Sequence, residues 1–354
     1  MVEWLAGNRI RGTSTERTST SGFNPVSATQ GGWKEISRVT LDSSNGNPTL
    51  PSFDSKRYYM LLYYSTGASN TTACRLRYNS ANGNYGYNYQ NNYGTNSAGG
   101  NEVTDFWSYA NDDKPTLTIK YISNLAAKEK LSVAHTVQSA GSGTGTVPHR
   151  TESASKWIDT SNAITSFDMT KSSGTWNTGT EVVVLGWDPD DSHTDNFWER
   201  LDSSTPLSST SDQIDSGTFT AKKYLWIQFY EKNSGDANVK MRFNNDSGSN
   251  YCWRWHEHNT EVTTAVDVDE GSTWIWQSKP AFYNAFVINN ATEEKLLTGH
   301  VVNQDTAGAA AGVGKARWVA KWDNTSNQIT RITVNNDASG SYDTGSFIKV
   351  WGHD

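Results

Sequence analysis

The residue types that could do chemistry are few, and their spacing argues against most of it. His256-Glu257-His258 is the closest approach to a metal motif. On a strand His256 and His258 share a face, but the third ligand that a zinc site needs is missing and the helical HExxH spacing is absent, so exposed strand-end residues are expected. His135 and His300 stand at matching places in two similar stretches, each followed by a valine and an amide residue. No G-x-S-x-G or cysteine nucleophile accompanies either histidine, which favours a structural hydrogen bond over catalysis. Glu152 and the Asp188, Asp190, Asp191 cluster have no counterparts that would suggest a paired-carboxylate hydrolase. The aspartate cluster lacks the twelve-residue calcium-loop pattern and reads as a solvated linker. Only Cys74 and Cys252 occur, too few for a disulfide framework, and Cys74 falls in an apolar row where a buried, inert thiol is expected. No catalytic residue, metal or cofactor is expected from these residues.

Aromatic side chains carry more information. Tyr85, Tyr87 and Tyr89 are spaced by two and answer Tyr251, Trp253 and Trp255, so each set lines one face of a strand. Exposed, with His256 beside them, they would form a stacking platform for sugar rings or a partner surface; buried, they are core.

These pairs belong to a duplication across most of the chain. Trp33-Lys34-Glu35 matches Trp198-Glu199-Arg200, Leu76-Arg77-Tyr78-Asn79 matches Met241-Arg242-Phe243-Asn244, and the KWIDTSNAIT run beginning at Lys156 matches the KWDNTSNQIT run beginning at Lys321. The offset is 165 or 166 residues throughout. Repeat one is placed at 32–187, a linker at 188–195 and repeat two at 196–354. Residues 1–31 have no counterpart and form an N-terminal extended arm. Its Trp4, Arg9, Ile10, Arg11 and Arg17 suit an assembly arm that docks on a neighbouring subunit, while its Gly, Ser and Thr content equally suits a frayed terminus.

The chain must position these residues with strands. Its 354 residues are 35% hydrophobic and 12% aromatic, with 15 Trp and 16 Tyr amid abundant Ser, Thr, Asn and Gly. Period-two alternation recurs, as in Val239-Lys240-Met241-Arg242-Phe243 and from Thr116 to Ile122, and no segment shows a helical stripe. The expected fold class is all-β: two tandem homologous β-sandwich, jelly-roll-like domains behind the arm. A net charge of −7 argues against broad nucleic-acid binding. No apolar run is long enough for a membrane helix, and Met1–Gly12 lacks the order of a secretory signal, so a chain made in the cytoplasm without a leader is expected.

The repeat ends, SNAITSFDMTKSSGTWNTGTEVVVLG and SNQITRITVNNDASGSYDTGSFIKVWG, together with AGNRIRGTSTERT in the arm, resemble a closing motif and starts of virion structural proteins of tailed phages and related archaeal viruses, marine types included. The resemblance implies a non-enzymatic decoration, fibre or capsid-surface component of the virion. It implies as partners the chain itself and other virion proteins, and no catalytic residues. Host-surface glycans are a further expected partner, and a stand-alone carbohydrate-binding lectin is the alternative reading.

Overall fold

The computed structural model describes residues 32–44, 47–68, 72–92, 97–110, 114–171, 173–188, 191–257, 260–271, 279–304 and 313–354. Among them every regular element is a strand. Repeat one supplies β1 (Lys34–Thr40), β2 (Tyr58–Ser65), β3 (Thr72–Tyr78), β4 (Tyr85–Asn91), β5 (Ser97–Glu102), β6 (Asp105–Ala110), β7 (Thr116–Ser123), β8 (Lys130–Gln138), β9 (His149–Trp157), β10 (Phe167–Lys171) and β11 (Glu181–Trp187). Repeat two supplies β12 (Glu199–Arg200), β13 (Gln213–Asp215), β14 (Tyr224–Glu231), β15 (Asn233–Ser234), β16 (Lys240–Phe243), β17 (Tyr251–Glu257), β18 (Thr260–Val268), β19 (Ala281–Ile288), β20 (Lys295–Asn303), β21 (Gly314–Trp322), β22 (Ile332–Asn335), β23 (Ser341–Tyr342) and β24 (Phe347–His353).

Each repeat is a sandwich of unequal layers. An eight-stranded antiparallel sheet, β1-β11-β2-β7-β8-β9-β4-β5, faces a three-stranded sheet, β10-β3-β6. Repeat two repeats the order of the large sheet as β12-β24-β14-β19-β20-β21-β17-β18, and its small sheet is β13-β22-β16. The match extends to register: Tyr64 opposes Leu117 as Tyr230 opposes Phe282, and Leu117 opposes Val137 as Phe282 opposes Val302. Strand order, which alternation cannot reveal, is therefore the same in both copies of the large sheet.

Alternation sets the two inner cores. In β16 the side chains of Met241 and Phe243 are buried while Lys240 and Arg242 are half-exposed, as a strand with one covered face requires. The repeat-one core gathers Tyr59, Tyr63, Leu76, Tyr78, Phe167 and Trp176; the repeat-two core gathers Phe229, Met241, Tyr251, Trp318, Trp322 and Ile348. Cys74 is fully buried, and its sulfur lies 3.6 Å from the Tyr63 hydroxyl.

A third apolar cluster joins the repeats through the outer faces of their large sheets. Leu62, Leu117, Ile119, Val137, Val183 and Leu185 of repeat one pack with Trp198, Tyr224, Phe286, Leu296, Val319 and Trp351 of repeat two. Among the described linker residues Ser192, Thr194 and Asp195 are exposed, while hydrogen bonds and an ion pair fasten its ends. Asp191 pairs with Lys56 and accepts the Asp188 amide at 2.8 Å, and the Phe197 amide donates to the Trp33 carbonyl at 2.7 Å. A neighbouring lysine and the need to satisfy backbone groups beside the joint account for the fastening.

Candidate functional site

The two large sheets present homologous outer faces, and only repeat one leaves its end of that face open. Side chains at one end of β11, β2, β7 and β8, with Trp33 just before β1, enclose a cavity of about 440 Å³ whose walls include Trp33, Tyr58, Tyr121, Leu131, Val133 and Trp187. The Trp187 ring stacks on Tyr58 with centroids 5.3 Å apart and a 22° interplanar angle, and Trp33 lies 6.1 Å from Trp187. A second cavity, of about 630 Å³, begins at the shared Leu131 and continues over β9, β4 and β5 past Lys156, Asn84, Gly86, Asn88, Gly100 and Asn101. Taken in strand order the two cavities cross the whole sheet, seven interstrand steps or roughly 34 Å. One end is aromatic and the other is lined by amides, glycine backbone and one lysine. Gly99 is fixed by close approach, since a β-carbon there would lie 2.4 Å from the Tyr87 ring.

The same positions in repeat two are covered. Trp198, Tyr224, Phe286 and Leu296 correspond to Trp33, Tyr58, Tyr121 and Leu131, and all four are buried in the joint. Leu131 is 56% exposed and Leu296 0%. Further along, the β8–β9 connection of repeat one lies over β17 and β21. Ser139 donates to Glu294 at 3.0 Å, the Gly143 amide donates to Glu294 at 2.6 Å, Lys321 donates to the Gly141 carbonyl, Arg254 donates to the Pro148 carbonyl at 3.0 Å, and Cys252 donates to the Thr146 carbonyl at 3.4 Å.

The sequence-based platform is largely core. Tyr85, Tyr251, Trp253 and Trp255 are buried because the ladders face the small sheets, and His256, on the opposite face of β17 beside Arg150, is 1% exposed; of the ladder rings only Tyr87 and Tyr89 remain half-exposed. His256, expected at an exposed strand end, is instead enclosed, and burial together with Arg150 pushes its imidazole down to about 4. His258 lies outside the described residues, as do the arm residues Trp4, Arg9, Ile10, Arg11 and Arg17. The open face was missed, although the duplication carried its signal: Trp33 and Tyr58 recur as Trp198 and Tyr224, but alternation cannot tell which copy is covered.

A polar cluster lies between the sheets. Strand pairing places His135 beside Glu152 and His300 beside Arg317, and the two equivalent histidines meet with ring centroids 4.1 Å apart. His135 Nδ1 and His300 Nε2 each lie 3.4 Å from Glu152 Oε1, while Arg150 pairs with Glu152 Oε2 at 3.0 Å and Arg317 pairs with the same oxygen. Burial, then the neighbouring His300, Arg317 and Arg150, holds the His135 imidazole well below its ordinary range; burial and Arg150 bring His300 down to about 4. Among the described residues this is the one group of three side chains whose donor atoms could converge on a metal ion.

No protein-family model matches the chain, and no curated protein matches it. Among solved structures, domains LG4-5 of the mouse laminin alpha1 chain align at 9% identity over 91% of this chain and 89% of that one, with a TM-score of 0.18. Human GIVD cytosolic phospholipase A2, in complex with methyl gamma-linolenyl fluorophosphonate, aligns at 7% identity over 78% of this chain and 33% of that one, with a TM-score of 0.12. Likenesses at these TM-scores carry no argument about function.

Proposed function

We propose that the chain is a non-catalytic structural component of a virion, in line with its repeat-end resemblance, and that it contacts host-surface glycans through the open outer face of repeat one. The observation that carries the glycan reading is the contrast between copies: an aromatic cavity and an amide-rich cavity adjoin at Leu131 in repeat one, while the equivalent surface of repeat two is covered by its sister. Trp and Tyr rings give a flat apolar surface for a sugar ring, and the amides and lysine can bond hydroxyls. Roughly 34 Å of groove suits a linear oligosaccharide. Among the described residues the lining carries no carboxylate, which favours binding over hydrolysis because glycosidases require a carboxylate pair.

A glycan microarray probed with the wild-type chain and with a Tyr58→Ala/Trp187→Ala double variant tests this reading. Binding that disappears in the double variant is expected; an array without signal, or one unchanged by the variant, overturns it. Light scattering on the full chain beside a chain lacking residues 1–31 tests the assembly part, with an oligomer reduced to monomer on truncation as the expected result. A stand-alone lectin would bind glycans as a monomer in both forms.

A further inference from the structure

The polar cluster in the joint has a geometry that an ion-pair network alone does not call for. Donor atoms around a tetrahedral zinc ion, at bond lengths of about 2.0–2.1 Å, lie about 3.3–3.4 Å from one another. His135 Nδ1 and His300 Nε2 are each 3.4 Å from Glu152 Oε1. The His300 separation is a hydrogen bond, whereas His135 Nδ1 is buried without a hydrogen-bond partner among the described residues, and the three donor atoms lie within 4.8 Å of one another. We propose that His135, His300 and Glu152 form a zinc-binding site that ties repeat one to repeat two.

Each neighbouring group has a part in that site. Arg150 and Arg317 both engage Oε2 and leave Oε1 toward the imidazoles, as groups that orient a ligating carboxylate do. Their charges oppose a cation and weaken its binding, while two imidazoles select zinc over calcium or magnesium, which prefer oxygen donors. His300 is 37% exposed along its side chain, which leaves a solvent path for water as the fourth ligand. The two histidines occupy the same position of the duplicated unit, so that position supplies one imidazole from each copy. Sequence reading could not assemble this set, because His135 and His300 are 165 residues apart and Glu152 answers Arg317 in the other repeat.

The test is a titration of the full chain, freed of metal with EDTA, using Zn²⁺ against a chromophoric chelator and Co²⁺ followed by its visible absorption. One equivalent of Zn²⁺, and the intense bands of four-coordinate Co²⁺, are expected. His300→Gln and Glu152→Gln should each weaken Zn²⁺ binding by at least about 10–100-fold, whereas His353→Gln on β24, three strands away from β20, should leave it unchanged. Circular dichroism of each metal-free variant checks folding. Should either variant not fold, a zinc-dependent rise in the melting temperature of the wild-type chain, with the four-coordinate Co²⁺ spectrum, still decides the matter. A wild-type chain that takes up no stoichiometric Zn²⁺ or Co²⁺ overturns the proposal, as does uptake that both variants retain.

Discussion

The two copies share strand order and register in their large sheets yet treat the same outer positions in opposite ways. At the joint, repeat one presents Leu62, Ile119 and Val183, all buried, where repeat two carries Gln228, Asn284 and Lys349, all half-exposed. At the other end of the sheet the relation reverses: Tyr224, Phe286 and Leu296 of repeat two are buried, and their counterparts Tyr58, Tyr121 and Leu131 in repeat one line an open groove. The joint is thus heterologous, using different halves of one ancestral surface. Polar substitutions on the unused half of repeat two keep it compatible with water, and a groove that stays apolar and open marks a surface held for another partner.

The largest effect should come from giving repeat one the residue that repeat two carries. Val183→Lys places an ammonium in the apolar joint and is expected to cost about 3 kcal/mol or more in chemical denaturation. Giving repeat two the residue that repeat one carries, as in Gln228→Leu at the counterpart of Leu62, should stay within about 1 kcal/mol. Equal effects of the two would break the comparison.

Next in size is Glu181, whose counterpart is Phe347. It accepts bonds from Arg38 of its own repeat at 3.1 Å and, across the joint, from Lys223 at 3.0 Å and Tyr224 at 2.8 Å. Burial alone would raise this carboxyl, but the bonds from Thr40, Lys223 and Tyr224 outweigh it and hold it below the usual carboxylate range. A depressed folded-state value contributes stability above the unfolded pKa that is lost as pH falls through the folded one. Glu181→Gln should therefore cost about 2 kcal/mol at pH 7 and progressively less under acid conditions, measured as melting temperature against pH.

Glu231 inverts that sign. It replaces the buried Ser65 of repeat one, and burial pushes its carboxyl well above the ordinary range while one oxygen has no hydrogen-bond partner. A raised folded-state value means that its contribution is fully present below the unfolded pKa and fades as pH rises. Glu231→Gln should stabilise repeat two by about 1 kcal/mol at pH 8 and have little effect at pH 4. A loss at pH 8 would contradict the burial argument. The smallest stability change is expected for Trp187→Ala on the open face, within about 1 kcal/mol, although the same substitution should weaken glycan binding strongly.

The sequence made the duplication, the all-β class and the burial of Cys74 legible, because period-two burial and matched spacing are local properties. Lys240 to Phe243 alternates in burial as its residue types require. Pairing between distant strands is not local, which is why the unequal layers and the meeting of His135 with His300 escaped. The aromatic ladders were found at the right strands, but their face was ambiguous: ring residues at every second position serve a platform and a core equally well, and only the position of the small sheets decides between them.

Hydroxyl-radical footprinting with mass spectrometry tests the central contrast most directly, because each open residue has a covered counterpart in the same molecule. Leu131, Tyr58, Tyr121 and Trp33 are predicted to oxidise much faster than Leu296, Tyr224, Phe286 and Trp198, respectively. Equal rates within these pairs, or faster oxidation in repeat two, would contradict the assignment of the groove to repeat one and of the joint to repeat two.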